Sequence, residues 1–321
     1  TLRYTVAERI SARGQTLLPL NEQHVRDVAA DMKAQGVEAI AVGLMHAYAH
    51  PAHERRIRDI LAAELPDTTI CISSEVCPEI REYERFSTTC ANAYVRPLMS
   101  GYLYRLRQQL DEQHINCPLF LMMSGGGLTT LDHAARFPIR LVESGPAGGA
   151  ILAADIAREC GIDEVLSFDM GGTTAKGALV RGGEPLKRYE LEVARVHEFK
   201  MGSGLPAKIP VIDLIEIGSG GGSIAAVDER GTIRVGPLSA SAEPGPVCYN
   251  QGGEQPTLTD ANLSLGYLDA SFFLGGEMKL DAMGALAAID EVIAQPLKVS
   301  ATRAAWGIHE SVNEDIARAF R

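Results

Sequence analysis

An aspartate followed by two glycines and two threonines forms the sharpest chemical motif in this sequence. An apolar run ends at Asp169, and Gly171, Gly172, Thr173 and Thr174 follow. Glycines allow a tight turn that presents backbone N–H groups to an anion. The two threonines can add hydroxyl donors, and Asp169 can hold Mg²⁺ directly or through water. The motif predicts a phosphate-binding loop, and a simple β-hairpin turn is the alternative.

A second apolar run leads directly into another glycine-rich loop. The loop contains Gly218, Gly220, Gly221, Gly222 and Ser223. Glycines in such a run allow a ligand to lie against bare backbone. A flexible or bulged strand connection is the alternative for this loop alone. The two loops together predict a cofactor site more strongly than either does.

Two further small-residue segments have weaker chemical signals. Residues 124–127 form a glycine-rich strand end, and residues 144–149 combine serine, glycine, proline and alanine. The second segment resembles a helix start, where backbone N–H groups can bind an anion. Small residues at a helix start also permit close packing against a sheet, and we favour that interpretation.

Other familiar sites are absent from the sequence. It contains no Walker-type phosphate loop, no dinucleotide-binding glycine motif in the right context and no GxSxG nucleophile motif. His46, His50 and His53 form the only histidine cluster, and Pro51 interrupts any helix that would align them. Metal binding by these histidines is therefore disfavoured.

Predicted helices and strands alternate in the first half of the chain, and they must help to position these loops. Apolar residues at helical spacing over 25–32 precede a strand-like run at 37–42, and Pro51 opens a second helix before a strand at 69–72. This alternation predicts an α/β fold. Further along, the pattern predicts two helices over 79–114 with a break near Pro97, strands at 118–123 and 139–143, and a helix over 144–159.

The second half of the chain has a more β-rich pattern. We predict an antiparallel meander of three strands at 165–169, 174–180 and 186–196, with a turn at 181–184. Further strands at 211–217 and 223–235, an ordered loop over 236–256 and two final helices follow. The change of pattern places a domain boundary near residue 160.

Composition limits the class of function. The 321 residues carry a formal net charge of -11 and are 46% hydrophobic, which is typical of a globular protein and disfavours nucleic-acid binding. No apolar run approaches the length of about 20 residues that a membrane span needs, and no secretory signal is visible. Six cysteines without a CxxC pair predict reduced thiols in or near the core and a cytoplasmic location. Because the chain begins at Thr1 without methionine, we expect a piece of a longer protein.

These motifs together resemble the hydantoinase A/5-oxoprolinase family. The resemblance is carried by residues 168–173, 218–225, 235–240, 244–249 and 256–262, in that order. It extends upstream through residues 79–85 and 144–149, so it covers nearly the whole chain.

The resemblance implies an α/β fold of the actin-like, sugar-kinase-like (ribonuclease H-like) class, with ATP between two lobes and two phosphate loops of the DxGGT type. This sequence has only one such loop, so we expect a fragment that lacks the phosphate loop of the N-terminal lobe. Residues 1–160 would form a helix-rich segment joining the lobes. Residues 161–321 would form the β-rich nucleotide-binding core with its C-terminal helices.

The resemblance also implies roles for the loop residues. Asp169, Thr173 and Thr174 would be catalytic, and Asp169 would also hold Mg²⁺. The residues implied to bind ATP are Gly171, Gly172, Gly220, Gly221, Gly222 and Ser223.

The implied activity is ATP-dependent hydrolysis of a cyclic amide such as a hydantoin or 5-oxoproline, through phosphorylation of the amide oxygen. The chain would be the A-type subunit, similar to N-methylhydantoinase A, and would work in an oligomer with a hydantoinase B-like subunit or domain. One alternative is a subunit of an ATP-dependent ketone carboxylase of the acetone or acetophenone type. Another is a nucleotide-sensing protein without turnover.

One position departs from the family pattern, and two others are further candidates for the site. Many family members carry a second carboxylate where this chain has Lys176, and a lysine can neutralise phosphate charge but cannot bind Mg²⁺. Asp260 and Asn262 are further candidates for the cleft, with helix capping as the alternative.

Overall fold

The computed structural model describes residues 2–196 and 202–321 as a mixture of helices and strands. The strands are β1 (Arg9–Ile10), β2 (Thr16–Leu18), β3 (Ala39–Val42), β4 (Thr69–Ile72), β5 (Phe120–Met122), β6 (Leu128–Thr130), β7 (Glu164–Met170), β8 (Ala175–Arg181), β9 (Glu184–Pro185), β10 (Lys187–Arg188), β11 (Leu191–Val193), β12 (Leu205–Ala207), β13 (Val211–Ile212), β14 (Leu214–Ile217), β15 (Ser223–Val227) and β16 (Ile233–Ser239). The helices are α1 (Glu22–Ala34), α2 (Ala52–Glu64), α3 (Ser73–Val76), α4 (Glu82–Glu112), α5 (Leu131–Arg136), α6 (Ser144–Cys160), α7 (Leu258–Ser264), α8 (Ala282–Ile289), α9 (Gln295–Leu297) and α10 (Ala301–Ala319). The mixture confirms the predicted α/β class, and the actin-like assignment stays a prediction.

The chain folds into two compact units. Unit 1 contains Thr1–Leu152 and Glu184–Asp213, and unit 2 contains Ala153–Gly183 and Leu214–Arg321. The chain therefore passes from one unit to the other three times, whereas the sequence pattern predicted one boundary near residue 160. The roles expected for residues 1–160 and 161–321 stay predictions.

The first half of unit 1 contains the predicted helix and strand alternation. Strands β3 and β4 are parallel, with Ile40 opposite Ile70, and α1 and α2 pack beside them. The Asn21 side chain accepts a hydrogen bond from the His24 N–H and caps α1. The apolar stripe of each helix points into one core, which contains Val25, Ala29, Ile40, Val42, Ile57, Ile60, Leu61, Leu65 and Ile72.

Helix α4 continues through Pro97 for 31 residues, so the predicted break there is wrong. Proline removes one backbone hydrogen bond and disfavours a helix interior by about 3 kcal/mol. Pro97 lies on the exposed side of α4, while Asn92, Ala93 and Leu103 are buried on either side of it along the chain. Tertiary packing before and after the proline keeps the helix continuous.

The strand predicted at 139–143 is wrong, and the one predicted at 186–196 is right in strand character but wrong in its pairing. Residues 138–141 form a 3₁₀ turn because Pro138 fixes a helical φ at its start. The segment 186–196 does not extend the meander, because β10 pairs with β13 and β11 pairs with β12 inside unit 1. The predicted helix from residue 144 is confirmed as α6, which runs from Ser144 to Cys160.

A buried charged network lies beside α4 in unit 1. Arg85 and Glu54 are fully buried. Arg85 donates to the Ser73 hydroxyl at 3.0 Å and to the Leu44 carbonyl at 2.8 Å. Glu54 accepts from the same hydroxyl at 2.6 Å and from the Leu44 and Ser74 N–H groups. Because these hydrogen bonds satisfy both charges, the burial is tolerated.

Unit 2 is built on an antiparallel sheet in the order β14-β8-β7. The β7–β8 hairpin was predicted, and β14 takes the third position that the prediction gave to residues 186–196. Strands β15 and β16 form a second hairpin through the predicted turn, in which the Asp228 N–H donates to the Thr232 carbonyl at 2.9 Å. The sheet and hairpin end at the loops that the sequence identified.

The helices that follow cover the β15–β16 hairpin. Residues of β15, β16, α7, α8, the π-helical turn Asp290–Ala294 and α10 form one core, which contains Ala225, Val235, Leu258, Ala261, Ile289, Ile293, Ala294, Ala304, Ala305, Ile308 and Val312. The two predicted final helices are present, because α8 continues through a π-helical turn at Asp290–Ala294 into α9, and α10 follows. The short helix α7, which comes before them, was not predicted.

All six cysteines are free thiols, but only half of them match the predicted placement in or near the core. Cys71, Cys77 and Cys248 are buried, whereas Cys90, Cys117 and Cys160 are exposed. Among the described residues, no helix has the combination of length and apolar character required to span a membrane. The cytoplasmic location stays a prediction.

Candidate functional site

The β7–β8 hairpin presents the aspartate–glycine–threonine motif at its tip. Asp169 stands opposite Lys176 near the end of β7. The Gly171 N–H donates to the Thr174 carbonyl at 2.9 Å and closes the turn, which leaves Gly172 and Thr173 at its exposed tip. The hairpin that the sequence offered as an alternative is therefore present. A hairpin turn can also present backbone N–H groups to an anion, so the hairpin is compatible with both interpretations.

Three backbone N–H groups at the tip have no hydrogen-bond acceptor in the part of the chain that the structure describes. Among residues 2–196 and 202–321, the N–H groups of Gly172, Thr173 and Thr174 have no hydrogen-bond acceptor. A methyl group added at Gly172 would meet no atom within 4 Å. A ligand oxygen can therefore approach bare backbone here and accept hydrogen bonds from successive N–H groups.

The second glycine loop holds the first one in place. The Gly221 N–H donates to the Gly171 carbonyl at 3.0 Å, and the Gly222 N–H donates to the Gly172 carbonyl at 2.6 Å. Gly220 donates to the Ser223 hydroxyl at 2.8 Å. The N–H groups of Gly220, Gly221, Gly222 and Ser223 are thus already used inside the protein. Its prediction as a cofactor-binding loop stays untested, and its observed contacts are those of a scaffold.

The two loops touch backbone to backbone. A methyl group added at Gly220 would lie 2.6 Å from the Thr173 carbonyl carbon and 2.7 Å from the Gly172 carbonyl oxygen. A methyl group at Gly222 would lie 3.0 Å from the same oxygen. Any side chain at Gly220 would force the loops apart, because neither of these neighbouring groups can rotate away.

Two hydroxyl residues at this site were not identified as site residues by sequence reasoning. The Thr259 N–H and hydroxyl both donate to the Gly221 carbonyl at 2.8 Å. The Ser239 hydroxyl lies 3.5 Å from the Gly172 carbonyl, and the Ala240 N–H donates to the Gly222 carbonyl at 2.9 Å. Both hydroxyl residues lie within or beside motifs that carried the family resemblance, which was the only available signal for them.

Asp260 is a structural carboxylate, so the capping alternative for this residue is correct. It is fully buried and forms a capping box with Thr257 at the start of α7. Its oxygens accept from the Thr257 N–H and hydroxyl and from the Val247 and Cys248 N–H groups, at 2.8 to 3.2 Å. Asn262 instead contacts the His309 ring at 2.9 Å. The Asp260 carboxylate ties the loop before α7 to the helix that anchors Gly221.

Burial and the Asp260 carboxylate together raise the pKa of the Cys248 thiol well above its usual range. Burial is the larger cause, because it disfavours the charged thiolate. Burial is also the first cause of a raised pKa at Tyr249, followed by the neighbouring Cys248 and then by Asp260. Both side chains remain protonated at neutral pH, and Cys248 is unsuited to act as a nucleophile.

Asp169, Lys176 and Glu216 form one row across the sheet. Lys176 pairs in register with Asp169 on one side and with Glu216 on the other, so all three side chains lie on the same face. The Lys176 ammonium is 3.7 Å from the Glu216 carboxylate. This row places a positive charge beside Asp169. Asp213, by contrast, pairs with Arg188 at 2.7 Å in unit 1.

The weaker sequence candidates lie in unit 1. Residues 124–127 form the β5–β6 turn, where the Ser124 hydroxyl donates to the Arg140 carbonyl at 2.7 Å and a methyl group at Gly125 would lie 3.2 Å from the Pro210 carbonyl. Residues 144–149 form the first turns of α6. His53 contacts Glu8 at 2.7 Å. Within the described part of the chain, no three His, Cys, Asp or Glu residues are placed to hold a metal ion by themselves.

The fold and the paired loops agree with a known family. The hydantoinase/oxoprolinase family model matches residues 85–321, and the model of the hydantoinase/oxoprolinase N-terminal region matches residues 1–65. The chain belongs to the hydantoinase/oxoprolinase family, as the sequence motifs predicted.

Individual relatives support this assignment. The chain is 38% identical to the caprolactamase alpha subunit of Pseudomonas jessenii, a match that covers 100% of this chain and 45% of that protein. The crystal structure of the ATP-dependent caprolactamase from the same organism matches with a TM-score of 0.73 at 36% identity, over 98% of this chain and 44% of that one. The nucleotide-free structure of acetone carboxylase, described as an ATP-dependent enzyme, matches with a TM-score of 0.80 at 30% identity, over 97% and 43%. The chain thus spans less than half the length of these relatives.

Proposed function

We propose that this chain supplies a phosphate-binding part of an ATP-dependent enzyme that activates an amide or carbonyl oxygen by phosphorylation. One observation carries the proposal: within the described part of the chain, the N–H groups of Gly172, Thr173 and Thr174 have no acceptor, and a second glycine loop donates hydrogen bonds to carbonyls of the same turn. Phosphoryl transfer needs positioned donors and charge more than it needs a protein nucleophile. A site made of backbone, hydroxyls and one aspartate suits that chemistry.

The residues present fit ATP with Mg²⁺. Gly172, Thr173 and Thr174 would hold phosphate oxygens through their N–H groups, and the two threonine hydroxyls would add donors. Asp169 would hold Mg²⁺, an ion that proteins commonly bind through one or two carboxylates together with phosphates and water. When bound, ATP with Mg²⁺ supplies the phosphoryl group that makes a poor electrophile reactive. Lys176 would add positive charge beside the phosphates and would not bind the metal.

Cyclic-amide hydrolysis is the activity we favour for the whole protein. Caprolactam is a cyclic amide, and the caprolactamase subunit matches the full length of this chain. Hydantoins and 5-oxoproline belong to the same chemical class. A second candidate is ATP-dependent ketone carboxylation, which the acetone carboxylase match favours through its higher TM-score of 0.80. Nucleotide sensing without turnover is the third, and the charge of Lys176 beside Asp169 is the observation that favours it.

We further propose that the protein acts with a partner. The caprolactamase relative is named as an alpha subunit. By analogy, this chain would be the A-type component and a hydantoinase B-like subunit or domain would carry later steps of the reaction. An oligomer and a cytoplasmic location are parts of the same proposal.

Replacing Asp169 with asparagine is expected to weaken Mg²⁺-dependent ATP binding. Asparagine keeps the size of the side chain but loses the charge that holds the metal. The loss of a charged hydrogen-bonding or metal-binding group costs about 1.5–3 kcal/mol, which corresponds to a loss of affinity of about 10- to 100-fold. Calorimetric titration of the full chain with ATP, with Mg²⁺ and with EDTA, would measure this change.

Glu164→Gln is the matched control for this substitution. Glu164 lies at the opposite end of β7, where its carboxylate is exposed and pairs with Arg181 at 3.5 Å. It should leave ATP affinity unchanged. If Asp169→Asn bound ATP with Mg²⁺ as tightly as the Glu164 variant, Asp169 would be only a strand residue and the proposed metal site would be wrong.

The two enzymatic candidates differ in which compounds stimulate ATP hydrolysis. For a cyclic-amide hydrolase, hydantoins, 5-oxoproline or caprolactam should raise ATP turnover by the full chain with its partner, and ketones with bicarbonate should not. The reverse pattern would identify the carboxylase branch. ATP binding without turnover under any of these conditions would favour the nucleotide-sensing protein.

A further inference from the structure

The hydrogen bonds between the two glycine loops fix the direction of two N–H groups at the tip. The Gly171 carbonyl accepts from the Gly221 N–H at 3.0 Å, and the Gly172 carbonyl accepts from the Gly222 N–H at 2.6 Å. In a planar trans peptide, the carbonyl and the N–H of the next residue point in opposite directions. The peptides that follow Gly171 and Gly172 are both trans. The N–H groups of Gly172 and Thr173 therefore point away from the second loop.

Helix α7 is connected to the tip through a series of hydrogen bonds. The Thr259 N–H and hydroxyl both donate to the Gly221 carbonyl at 2.8 Å. That carbonyl belongs to the same peptide as the Gly222 N–H, which donates to the Gly172 carbonyl. The Gly172 carbonyl in turn shares its peptide with the Thr173 N–H, which has no acceptor in the described part of the chain. Two successive peptide groups thus link Thr259 to an N–H at the tip.

A separate series of hydrogen bonds leads to the Gly172 N–H. The Ser223 N–H donates to the Gly220 carbonyl at 3.0 Å. The Gly221 N–H, which belongs to that peptide, donates to the Gly171 carbonyl, and the Gly172 N–H lies on the far side of the next peptide. This series does not pass through α7, so it provides an internal comparison for the first one.

The Thr259 hydroxyl is an additional donor to a carbonyl that already has one. If the hydroxyl were removed, the Gly221 carbonyl would still accept from the Thr259 N–H, so the hydroxyl is not required to satisfy it. A hydrogen bond to a carbonyl polarises its peptide and strengthens the bond that the N–H of that peptide donates, by about 10–30% per bond. Thr259 is only 8% exposed, so water competes little for this contact. Its hydroxyl is therefore placed to strengthen the donors that follow it.

We propose that Thr259 is a positioning residue for the phosphate site. Its hydroxyl orients and polarises the peptide between Gly221 and Gly222, and through that peptide it directs the Thr173 N–H toward a phosphate oxygen of ATP. Thr259 itself does not touch the ligand. The inference rests on the proposed function, because it requires ATP to bind at the tip.

Thr259→Ala and Thr259→Ser form a matched pair, because only the serine variant keeps the hydroxyl. In calorimetric titration of the full chain with ATP and Mg²⁺, Thr259→Ala should bind ATP about three- to tenfold more weakly than the wild type, the effect of about one neutral hydrogen bond. Thr259→Ser should bind ATP like the wild type. Thr89→Ala is the control, because the buried Thr89 hydroxyl also donates to a carbonyl, that of Arg85 at 2.7 Å, but lies in unit 1. It should leave ATP affinity unchanged.

Amide resonances of the nucleotide-free protein provide a readout that a purely structural role would not produce. In Thr259→Ala, the amide protons of Gly222 and Thr173 should move to higher field, because their peptides are less polarised. The Gly172 amide proton should move less, since its series of hydrogen bonds does not include the Thr259 hydroxyl. Thr259→Ser should restore the wild-type resonances.

The outcomes separate this inference from the proposed function. If the wild type binds no ATP, both are wrong. If the wild type binds ATP and a folded Thr259→Ala variant binds it as tightly, only the inference is overturned, whether or not the amide resonances move. Failure of Thr259→Ser to restore affinity overturns it equally. Circular dichroism checks each fold, and Thr259→Val, which keeps the branched side chain, replaces Thr259→Ala if that variant unfolds.

Discussion

Replacing Gly220 with alanine is expected to disrupt both the fold of the glycine loops and their affinity for ATP. The new methyl group would lie 2.6 Å from the Thr173 carbonyl carbon, so the loops must separate. Separation breaks the hydrogen bonds from Gly221 and Gly222 to the first loop. Overpacking of this kind costs about 1–3 kcal/mol of stability. Displacement of the donors at the tip should lower ATP affinity at least about tenfold.

Gly172→Ala is the counterpart that separates folding from ligand binding. Its methyl group would meet nothing within 4 Å, and Gly172 does not have a positive φ. The free energy of unfolding should therefore stay within about 0.5–1 kcal/mol of the wild type. A methyl group at the tip nevertheless stands where the proposed phosphate approaches, so ATP affinity should fall.

Urea unfolding and ATP titration of the two variants measure these effects together. Unchanged stability and ATP affinity in Gly220→Ala would contradict the close packing of the loops. A Gly172→Ala variant that binds ATP like the wild type would show that the phosphates do not lie on this hairpin. The two variants therefore test the scaffold and the ligand contact as separate questions.

Asp260→Ala is expected to be the most destabilising side-chain truncation in unit 2. In the wild type, four donors bond to this buried carboxylate: the N–H groups of Thr257, Val247 and Cys248 and the Thr257 hydroxyl. The substitution leaves all four donors without their acceptor. Unsatisfied buried donors cost about 1–3 kcal/mol each, and partial relaxation limits the total to about 3–5 kcal/mol. Urea unfolding measures this loss. Alkylation of Cys248, which is fully buried in the wild type, should become faster.

Asp281→Ala is a matched control for this substitution. Asp281 also caps a helix, but it is exposed and accepts one hydrogen bond, from the Gly284 N–H at 2.9 Å. Loss of such a cap costs about 0.5–2 kcal/mol. If Asp260→Ala were no more destabilising than Asp281→Ala, the buried hydrogen bonds would not stabilise this region as argued.

The sequence predicted where the two glycine loops lie along the strands, but not how the loops contact each other. Apolar runs ending in glycines placed both loops at strand ends, and the structure brings them together. The sequence could not show that Gly221 and Gly222 donate to Gly171 and Gly172, because that contact joins segments about fifty residues apart and depends on the order of strands in the sheet. Local sequence patterns indicate where a strand ends, but they do not indicate which strand lies beside it in the sheet.

The errors in the fold have the same origin. Pro97 predicted a helix break because local backbone chemistry opposes proline, and packing on the opposite face of α4 outweighed it. Residues 186–196 have strand character, yet their partners lie at 205–212 and not in the adjacent hairpin. Asp260 was ambiguous for another reason: a helix cap and a residue of the cleft can be the same carboxylate, and only its burial and hydrogen bonds identify it as a cap.

The main-chain bonds between the glycine loops also bear on how fast and how strongly a nucleotide can bind. Because Gly221 and Gly222 already fix the carbonyls behind the tip, much of the entropy of ordering this turn is lost during folding and not on binding. The proposed nucleotide site would therefore be preorganised, and nucleotide association should not wait for a loop to close. Its rate would then depend on the electrostatic approach of an anionic nucleotide to a chain of net charge -11, and added salt should accelerate it by screening that repulsion.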